Sequence, residues 1–223
     1  MNTSYPSKLK VMSEIQQQKF QTEQENFWAG EFGTNYISRN VGEELLGSNL
    51  GFFSHVLKSA QKIESCLELG ANVGMNLKAL RLLFPGMRQF GIEINPDAAE
   101  KLADTIGIQN VFGGSILEFS SLETFELVLI KGVLIHINPE MLRTVYQKLF
   151  DYTKKYILIC EYYNPTPVEV NYRGHDGKLF KRDFAGEILD AFNDLRLVDY
   201  GFFYHRDPVF PQDDATWFLL QKG

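Results

Sequence analysis

The chain has 223 residues, of which 44% are hydrophobic and 13% aromatic, which is enough to bury the core of one domain. Its formal net charge of −6 argues against a nucleic-acid-binding surface, which normally carries a clustered basic face. No apolar run reaches ~18 residues and the N-terminus lacks the basic-then-apolar pattern of an export signal, so we expect neither a membrane span nor secretion. These features predict a cytoplasmic protein whose residues 1–223 form a single domain.

The N-terminal part of the chain, residues 1–47, is predicted to form a helical and aromatic cap on a core that spans residues 48–223. Val11 to Trp28 is compatible with a helix, and residues 27–40 are rich in aromatic side chains although they hold two glycines. These aromatics have two interpretations. They pin the N-terminal helix onto a sheet, or they form a lid over a bound ligand.

The first βαβ unit is predicted after a helix at about Ser48 to Ala60. Cys66 to Leu69 forms a short apolar strand, and Gly70 and Gly74 lie in the tight turn before the next helix, where a Cβ would keep a ligand away from the backbone. Near the end of the second strand lies Glu93, 19 residues beyond Gly74, about the spacing at which such units place a carboxylate against ribose hydroxyls. This pattern indicates a site for a nucleoside-containing cofactor.

The charge beside this turn indicates which cofactor binds. A nicotinamide fingerprint has three glycines around the pyrophosphate, whereas this turn reads G-A-N-V-G, with Asn72 in the middle. Glu68 lies two residues before the first glycine, where its carboxylate would repel a pyrophosphate and attract a cationic sulfonium or an amino group. The sequence therefore points to S-adenosyl-L-methionine as the cofactor.

Glu68 to Gly74 resembles the first motif of the class I S-adenosylmethionine-dependent methyltransferases, E/D-x-G-x-G-x-G, with Asn72 in place of the middle glycine. The resemblance implies an α/β, Rossmann-like fold with a seven-stranded, mostly parallel sheet of order 3-2-1-4-5-7-6, its last strand antiparallel and helices on both faces. It favours a lid in which Tyr36, Arg39 and Asn40 reach the methionine moiety or the substrate. The other predicted cofactor contacts are Glu68, Gly70, Asn72, Gly74, Asn76, Glu93, Ile94, Ser115, Ile116, Lys131 and Gly132.

The third and fourth strands each precede a predicted site residue. After the third strand, Asn110 to Gly113, the family usually carries an acid that contacts the adenine amine. This chain has Ser115 there, so one hydrogen bond, or the backbone around Ser115 and Ile116, would hold the adenine. The fourth strand, Phe125 to Ile130, precedes a stretch that resembles the family motif G-V-L-x-H. Its histidine, His136, is either a general base or a residue that shapes the pocket.

The strands near the C-terminus complete the predicted sheet. Tyr156 to Cys160 is the fifth strand, and the last two, about Leu195 to His205 and Thr216 to Gln221, must run antiparallel because their connection is short. Cys66 and Cys160 fall in strands that another strand separates, so their Cα atoms should lie about 9–10 Å apart, too far for a disulfide. We therefore expect two reduced thiols, and we predict no metal site.

A long polar loop is predicted at Val168 to Leu179, and loops of this length without regular structure are usually functional or disordered. In and just after it lies a basic cluster formed by Arg173, His175, Lys181 and Arg182. The cluster is either a solvated surface or a site for a carboxylate or phosphate, anions that guanidinium groups suit.

A narrower resemblance extends over nearly the whole chain. Residues 27–32, 161–165, 172–175 and 179–187 together are similar to the methyltransferases associated with pseudaminic acid biosynthesis. This implies a small anionic acceptor, a nonulosonic acid sugar or its nucleotide-activated form, methylated on oxygen or nitrogen by in-line displacement. The candidate proton acceptors are His136, Glu161 and His175, and the candidate substrate contacts are Asn40, Tyr163, Asn164, Arg173, Lys181 and Arg182.

Two other classes of protein share part of this pattern. An NAD-dependent nucleotide-sugar reductase or epimerase would have the same first βαβ unit, but it would also carry a Tyr-x-x-x-Lys pair, and the segment Tyr152 to Tyr156 ends in tyrosine instead. A non-catalytic S-adenosylmethionine-binding module would keep the fold, and the carboxylates of Glu68 and Glu93 argue against such a degenerate site.

Overall fold

A sheet of seven strands forms the centre of the structure. The computed structural model describes residues 20–223, so the part of the predicted Val11 to Trp28 helix before residue 20 lies outside the described residues. Within them that helix begins only at Glu23, after the N-cap Thr22, so residues 20–22, which were predicted to be helical, are not. The strands of the sheet are β1 (Ser65–Leu69), β2 (Arg88–Glu93), β3 (Val111–Gly113), β4 (Phe125–Lys131), β5 (Thr153–Glu161), β8 (Leu195–Phe203) and β9 (Ala215–Lys222). Two short strands outside it, β6 (Val168–Glu169) and β7 (Phe180–Lys181), pair with each other.

The strand order in the sheet is β3-β2-β1-β4-β5-β9-β8. Neighbouring strands pair in parallel except at β9, which is antiparallel to both β5 and β8. When the strands of this sheet alone are numbered, the order is 3-2-1-4-5-7-6 with the last strand reversed, so the predicted topology is confirmed. Cys66 and Cys160 are buried free thiols on β1 and β5, with β4 between them.

Helices cover both faces of the sheet. They are α1 (Glu23–Ala29), α2 (Glu31–Tyr36), α3 (Glu43–Val56), α4 (Met75–Leu83), α5 (Pro96–Ile106), α6 (Leu142–Tyr152) and α7 (Phe184–Ala191). Leu127 and Leu129 of β4 join the core formed with α3, α4 and α5, whereas Val128 and Ile130 join the core formed with α6 and α7. The continuous apolar run of β4 thus supplies two cores, because successive side chains point to opposite faces.

Among the other predicted elements, two differ most from the structure. The helix expected at Ser48 to Ala60 is α3, which begins after Gly42, a residue at φ 112°, and ends at Val56. The stretch Val168 to Leu179 contains regular structure, since β6 at its start pairs with β7 just beyond its end. Asp183 is the N-cap of α7, because its Oδ1 accepts a hydrogen bond from the Gly186 N–H at 2.8 Å. Within residues 20–223 we find no helix long and apolar enough to cross a bilayer.

Candidate functional site

The carboxyl ends of the central parallel strands open into one cavity. Open parallel sheets bind ligands at this edge, which makes the cavity the candidate site. Its lining includes the residues that follow or end β1, β2, β3 and β4, namely residues 70–73, 93–94, 115–117 and 131–133.

The turn after β1 is fixed by the backbone. The N–H groups of Gly70 and Ala71 both donate to the carbonyl oxygen of Ile92, each at 2.9 Å. Gly70 and Gly74 adopt φ values of 76° and 84°, in the left-handed region that favours glycine. Asn72, at φ 48°, also lies there, and asparagine tolerates this conformation better than most residues with a Cβ. Asn72 can therefore replace the middle glycine of the motif without altering the turn.

Glu93 braces this turn from the end of β2. Its Oε2 accepts a hydrogen bond from the Asn72 N–H and its Oε1 from the Asn95 N–H, both at 2.7 Å. The side chain lines the cavity and is 7% exposed. Burial raises the pKa of Glu93, and the backbone hydrogen bonds offset part of that rise. Each carboxylate oxygen can accept a further hydrogen bond, so Glu93 can also bind two hydroxyl groups of a ligand.

Glu68 lies behind the cavity lining. It is fully buried, and its Oε1 accepts a hydrogen bond at 2.6 Å from Nδ2 of Asn76, which itself lines the cavity. No described residue bonds its Oε2. Burial raises the pKa of Glu68 to about 8, against the lowering effects of Asn76 and of the Lys131 charge. A buried carboxyl oxygen without a partner is costly, and a cationic or N–H-bearing ligand would reduce that cost.

The N-terminal helix α1 reaches the same edge of the sheet through Glu25. The Ser115 hydroxyl donates to Glu25 Oε1, while the Thr22 N–H and hydroxyl donate to Glu25 Oε2 at 2.8 and 2.9 Å. The Glu25 N–H in turn donates to Thr22 Oγ1, which completes a capping box at the start of α1. Glu25 is 8% exposed and lines the cavity.

Aromatic side chains form another wall of the cavity. Trp28, Tyr36 and Tyr172 line it, and the ring of His136 lies 4.6 Å from that of Trp28 and 4.8 Å from that of Tyr172. Asn95 Nδ2 donates to the Trp28 carbonyl oxygen at 3.2 Å, which ties α1 to the start of α5. These aromatics therefore both hold α1 and α2 on the core and enclose the cavity.

Two of the three candidate proton acceptors line the cavity, His136 and Glu161. Burial lowers the pKa of His136 to about 4, so its ring is neutral near pH 7. Its Nδ1 lies 2.6 Å from the Lys178 carbonyl oxygen and so carries the proton, which leaves the lone pair on Nε2. Glu161 accepts hydrogen bonds from the backbone N–H groups of residues 133–135, and burial raises its pKa to about 7.

The third candidate, His175, is exposed and does not line the cavity; its ring packs against Phe27 and Phe32, with centroids 4.9 and 5.6 Å away. Its position follows from the tight turn in which Tyr172 and His175 form a β-bridge, because this turn brings Tyr172 to the cavity and leaves His175 on the outer side of the aromatic wall.

Most of the predicted cofactor residues converge on the cavity. Those that line it are Tyr36, Gly70, Asn72, Asn76, Glu93, Ile94, Ser115, Ile116, Lys131 and Gly132. Gly74 precedes α4 without lining the cavity, and Arg39 is exposed, with its guanidinium 5.8 Å from the Tyr36 ring centroid.

The predicted basic cluster does not converge on the cavity. Arg173 is exposed, with its guanidinium 5.4 Å from the Tyr172 ring centroid, and Arg182 Nε donates to Glu187 Oε1 at 2.7 Å. Lys181 lines a separate depression with Tyr162, His205, Asp213 and Asp214. Tyr163 and Asn164 also lie outside the cavity lining, which leaves Asn40 as the predicted substrate residue that lines it.

The sequence interpretation missed several lining residues. Glu25 had a readable signal, because Thr22-x-x-Glu25 is the pattern of a capping box and places a helix start at residue 22. Gln212 and Asp213 lie in the connection between β8 and β9, which was predicted only as a short link. Nothing in their local sequence indicates that the connection folds back over the cavity.

A sheet of this order, with a glycine turn after β1 and an acid at the end of β2, defines the Rossmann-like methyltransferase fold. Solved structures of this fold match the chain. One is the Burkholderia thailandensis 1,6-didemethyltoxoflavin-N1-methyltransferase with bound 1,6-didemethyltoxoflavin and S-adenosylhomocysteine, at 13% identity and a TM-score of 0.65, covering 100% of this chain and 93% of that one.

Two further structures agree. An S-adenosylmethionine-dependent methyltransferase from Archaeoglobus fulgidus matches at 15% identity and a TM-score of 0.62, over 86% of this chain and 100% of that one. The plantazolicin methyltransferase BpumL in complex with S-adenosylhomocysteine matches at 14% identity and a TM-score of 0.61, over 96% and 99% of the two chains. At such identities the likeness establishes the fold alone. No protein-family model matches the sequence, and a comparison with curated proteins gives no match.

Proposed function

We propose that the protein is an S-adenosylmethionine-dependent methyltransferase that transfers a methyl group to an oxygen or nitrogen atom of a small molecule. The observation that carries this proposal is Glu93, which holds the glycine turn through Asn72 and still offers two acceptor positions to the cavity. Neighbours of the same fold bind S-adenosylhomocysteine, the product of such a transfer.

The residues present fit this cofactor. Glu93 would hold the ribose hydroxyls, and the backbone around Ser115 and Ile116 would lie along the base. The Asn76 amide, which lines the cavity and is held by Glu68 Oε1, would contact the methionine end, and a positive charge bound there would favour the ionised form of Glu68. The cofactor supplies the electrophilic methyl group, and the chain contributes the alignment of the acceptor with the methyl–sulfur bond.

A hydroxyl acceptor would also need a group to take its proton. His136 is the best placed candidate, because it lines the cavity, is neutral, and has its lone pair on Nε2. Glu161 would act mainly as a brace for residues 133–135, which it already binds. An amine or carboxylate acceptor would need little or no such help.

The finer proposal for the acceptor, a nonulosonic acid sugar or its nucleotide-activated form, rests on the sequence resemblance. Support for an anion comes from Lys131 in the cavity and from Lys181 in the adjoining depression, which shares Tyr162 and Asp213 with the cavity. Asp213 and Asp214 in that depression oppose an anion, so a neutral or amine-bearing acceptor is the second candidate. A cytoplasmic location also belongs to this proposal, and two buried free thiols support it.

Isothermal titration calorimetry with S-adenosylhomocysteine tests the cofactor assignment. We expect the wild type to bind it and Glu93→Ala to bind at least about 100-fold more weakly, because two charge-assisted hydrogen bonds are lost. Glu100→Ala, which removes an exposed carboxylate from α5, is the matched control and should bind normally.

The same titration separates the alternatives. Binding of NAD in place of S-adenosylhomocysteine would indicate a reductase or epimerase. A wild-type protein that binds neither compound would rule out the proposal, and normal affinity in Glu93→Ala would remove the ribose assignment.

A further inference from the structure

The base end of the cofactor cavity can be located from the strand register. Glu93 pairs with Gly113 across β2 and β3, and the Gly114 N–H donates to the Glu93 carbonyl oxygen at 2.8 Å. Ser115 therefore lies at the cavity edge one strand beyond Glu93. This inference rests on the proposed function: a nucleoside whose ribose is bound by Glu93 would direct its base toward residues 115–117.

The carboxylate at this end of the cavity belongs to α1. Glu25 is separated from Ser115 by 90 positions in the sequence, yet the Ser115 hydroxyl donates to its Oε1. The donors to Glu25, two from Thr22 and one from Ser115, are all uncharged groups. A carboxylate offers about four acceptor positions, and three are used. One acceptor position of a buried, charged group thus remains at the lining of the cavity.

We propose that Glu25 accepts a hydrogen bond from the 6-amino group of the adenine, so that the N-terminal helix supplies the base-recognising carboxylate. A carboxylate at this position favours a purine with an exocyclic amine, which donates to it, over a purine with a carbonyl oxygen, because the carboxylate repels that oxygen. Docking of α1 and binding of the cofactor are then linked, because Glu25 is held in place by the capping box of α1 and by Ser115.

The test compares two ligands on two proteins by calorimetry. The ligands are S-adenosylhomocysteine and its 6-deamino analogue, which carries hydrogen in place of the amine. The wild type should prefer S-adenosylhomocysteine by about 10-fold to 100-fold, the range of a hydrogen bond to a buried charged group. Glu25→Ala should bind the two ligands with affinities that differ by less than about threefold.

This design distinguishes recognition of the amine from a structural role of Glu25. If Glu25 only fastened α1, Glu25→Ala would weaken both ligands by the same factor and keep the preference, and that result would overturn the inference. Ser115→Ala removes a donor to Glu25 but leaves its carboxylate, and it should retain the preference. Glu31→Gln neutralises an exposed carboxylate in the first turn of α2 and serves as the matched control.

The failure of this inference can be told apart from failure of the proposed function. A wild type that binds S-adenosylhomocysteine without any preference over the deamino analogue contradicts the role of Glu25 alone. A wild type that binds neither ligand contradicts the cofactor assignment itself, and with it the inference. Hydrogen exchange gives a second readout: S-adenosylhomocysteine should slow exchange of the amides of residues 26–30 in the wild type and not in Glu25→Ala.

Discussion

Glu68 should make the stability of the protein depend on pH. Burial raises its pKa from 4.5 to about 8, so between these pH values the native state holds a proton that the unfolded chain has lost. The stability that this proton provides is complete below pH 4.5 and is lost as pH rises to about 8, at up to about 1.4 kcal/mol per pH unit. Glu68→Gln keeps an acceptor for Asn76 but does not titrate.

The measurement is urea unfolding of the wild type and Glu68→Gln at several values between pH 5 and pH 7.5. The free energy of unfolding of the variant relative to the wild type should rise by roughly 1 kcal/mol per pH unit across this range. Taking the difference cancels the contributions of Glu93 and Glu161, whose pKa values burial also raises. A difference independent of pH would show that Glu68 is ionised throughout.

The protonation state of His136 is a second prediction at this scale. Burial lowers its pKa to about 4 and its Nδ1–H donates to the Lys178 carbonyl oxygen, so the neutral Nδ1–H tautomer should persist from pH 8 down to pH 5. Long-range proton–nitrogen correlation spectra report the tautomer directly, and the signal is assigned by its loss in His136→Gln. A Nε2–H pattern, or a transition near pH 6.5, would contradict this geometry.

The contact between α1 and α2 depends on a residue without a side chain. A Cβ added at Gly33 in α2 would lie 1.9 Å from the carbonyl oxygen of Trp28, an atom of the backbone that cannot move alone. We expect Gly33→Ala to cost about 1–3 kcal/mol of stability and to weaken binding of S-adenosylhomocysteine, since Trp28 and Tyr36 line the cavity.

Gly47→Ala provides the comparison for that prediction. Gly47 lies within α3 and an added Cβ would meet no atom within 4 Å, so alanine should stabilise the helix by about 0.5–1 kcal/mol and leave ligand affinity unchanged. Urea midpoints and calorimetry measure both quantities. If Gly33→Ala and Gly47→Ala had the same stability and the same ligand affinity, α2 could not approach α1 as closely as the structure shows.

The elements that the sequence predicts best are those whose signals are local. The glycine turn after β1 depends on neighbours within a few positions, and the structure has it. The helix caps Asn95 and Asp183 are local in the same way, since each accepts a hydrogen bond from an N–H three residues on. The pairing of β6 with β7 joins short strands across a connection of ten residues (170–179), so no local pattern identifies it. The start of α3 was missed because Glu43 and Glu44 lie on an exposed face and carry no apolar periodicity.

At the scale of the molecule, the sheet was predictable and the aromatic wall of the cavity was not. The strand order was expected from the family resemblance, and the reversal of β9 follows from the short link before it. The cavity lining combines Trp28, Tyr172 and Asp213. These residues come from α1 and from two connections far apart in the chain, and their meeting depends on how these segments pack.

Ligand binding should raise the stability of the whole molecule, because the cavity is built from the sheet and from α1 and α2 together. At 100 times its dissociation constant, S-adenosylhomocysteine should add about 2.7 kcal/mol, which for a chain of this size raises Tm by about 5–10 °C. Each further tenfold increase in ligand concentration should add about 1.4 kcal/mol.

Differential scanning fluorimetry measures this shift in Tm. NAD at the same concentration should give none, and neither should S-adenosylhomocysteine with Glu93→Ala. An equal Tm shift in Glu93→Ala would show that Glu93 does not hold the ligand. The ligand would then bind outside the cavity at the ends of β1 and β2.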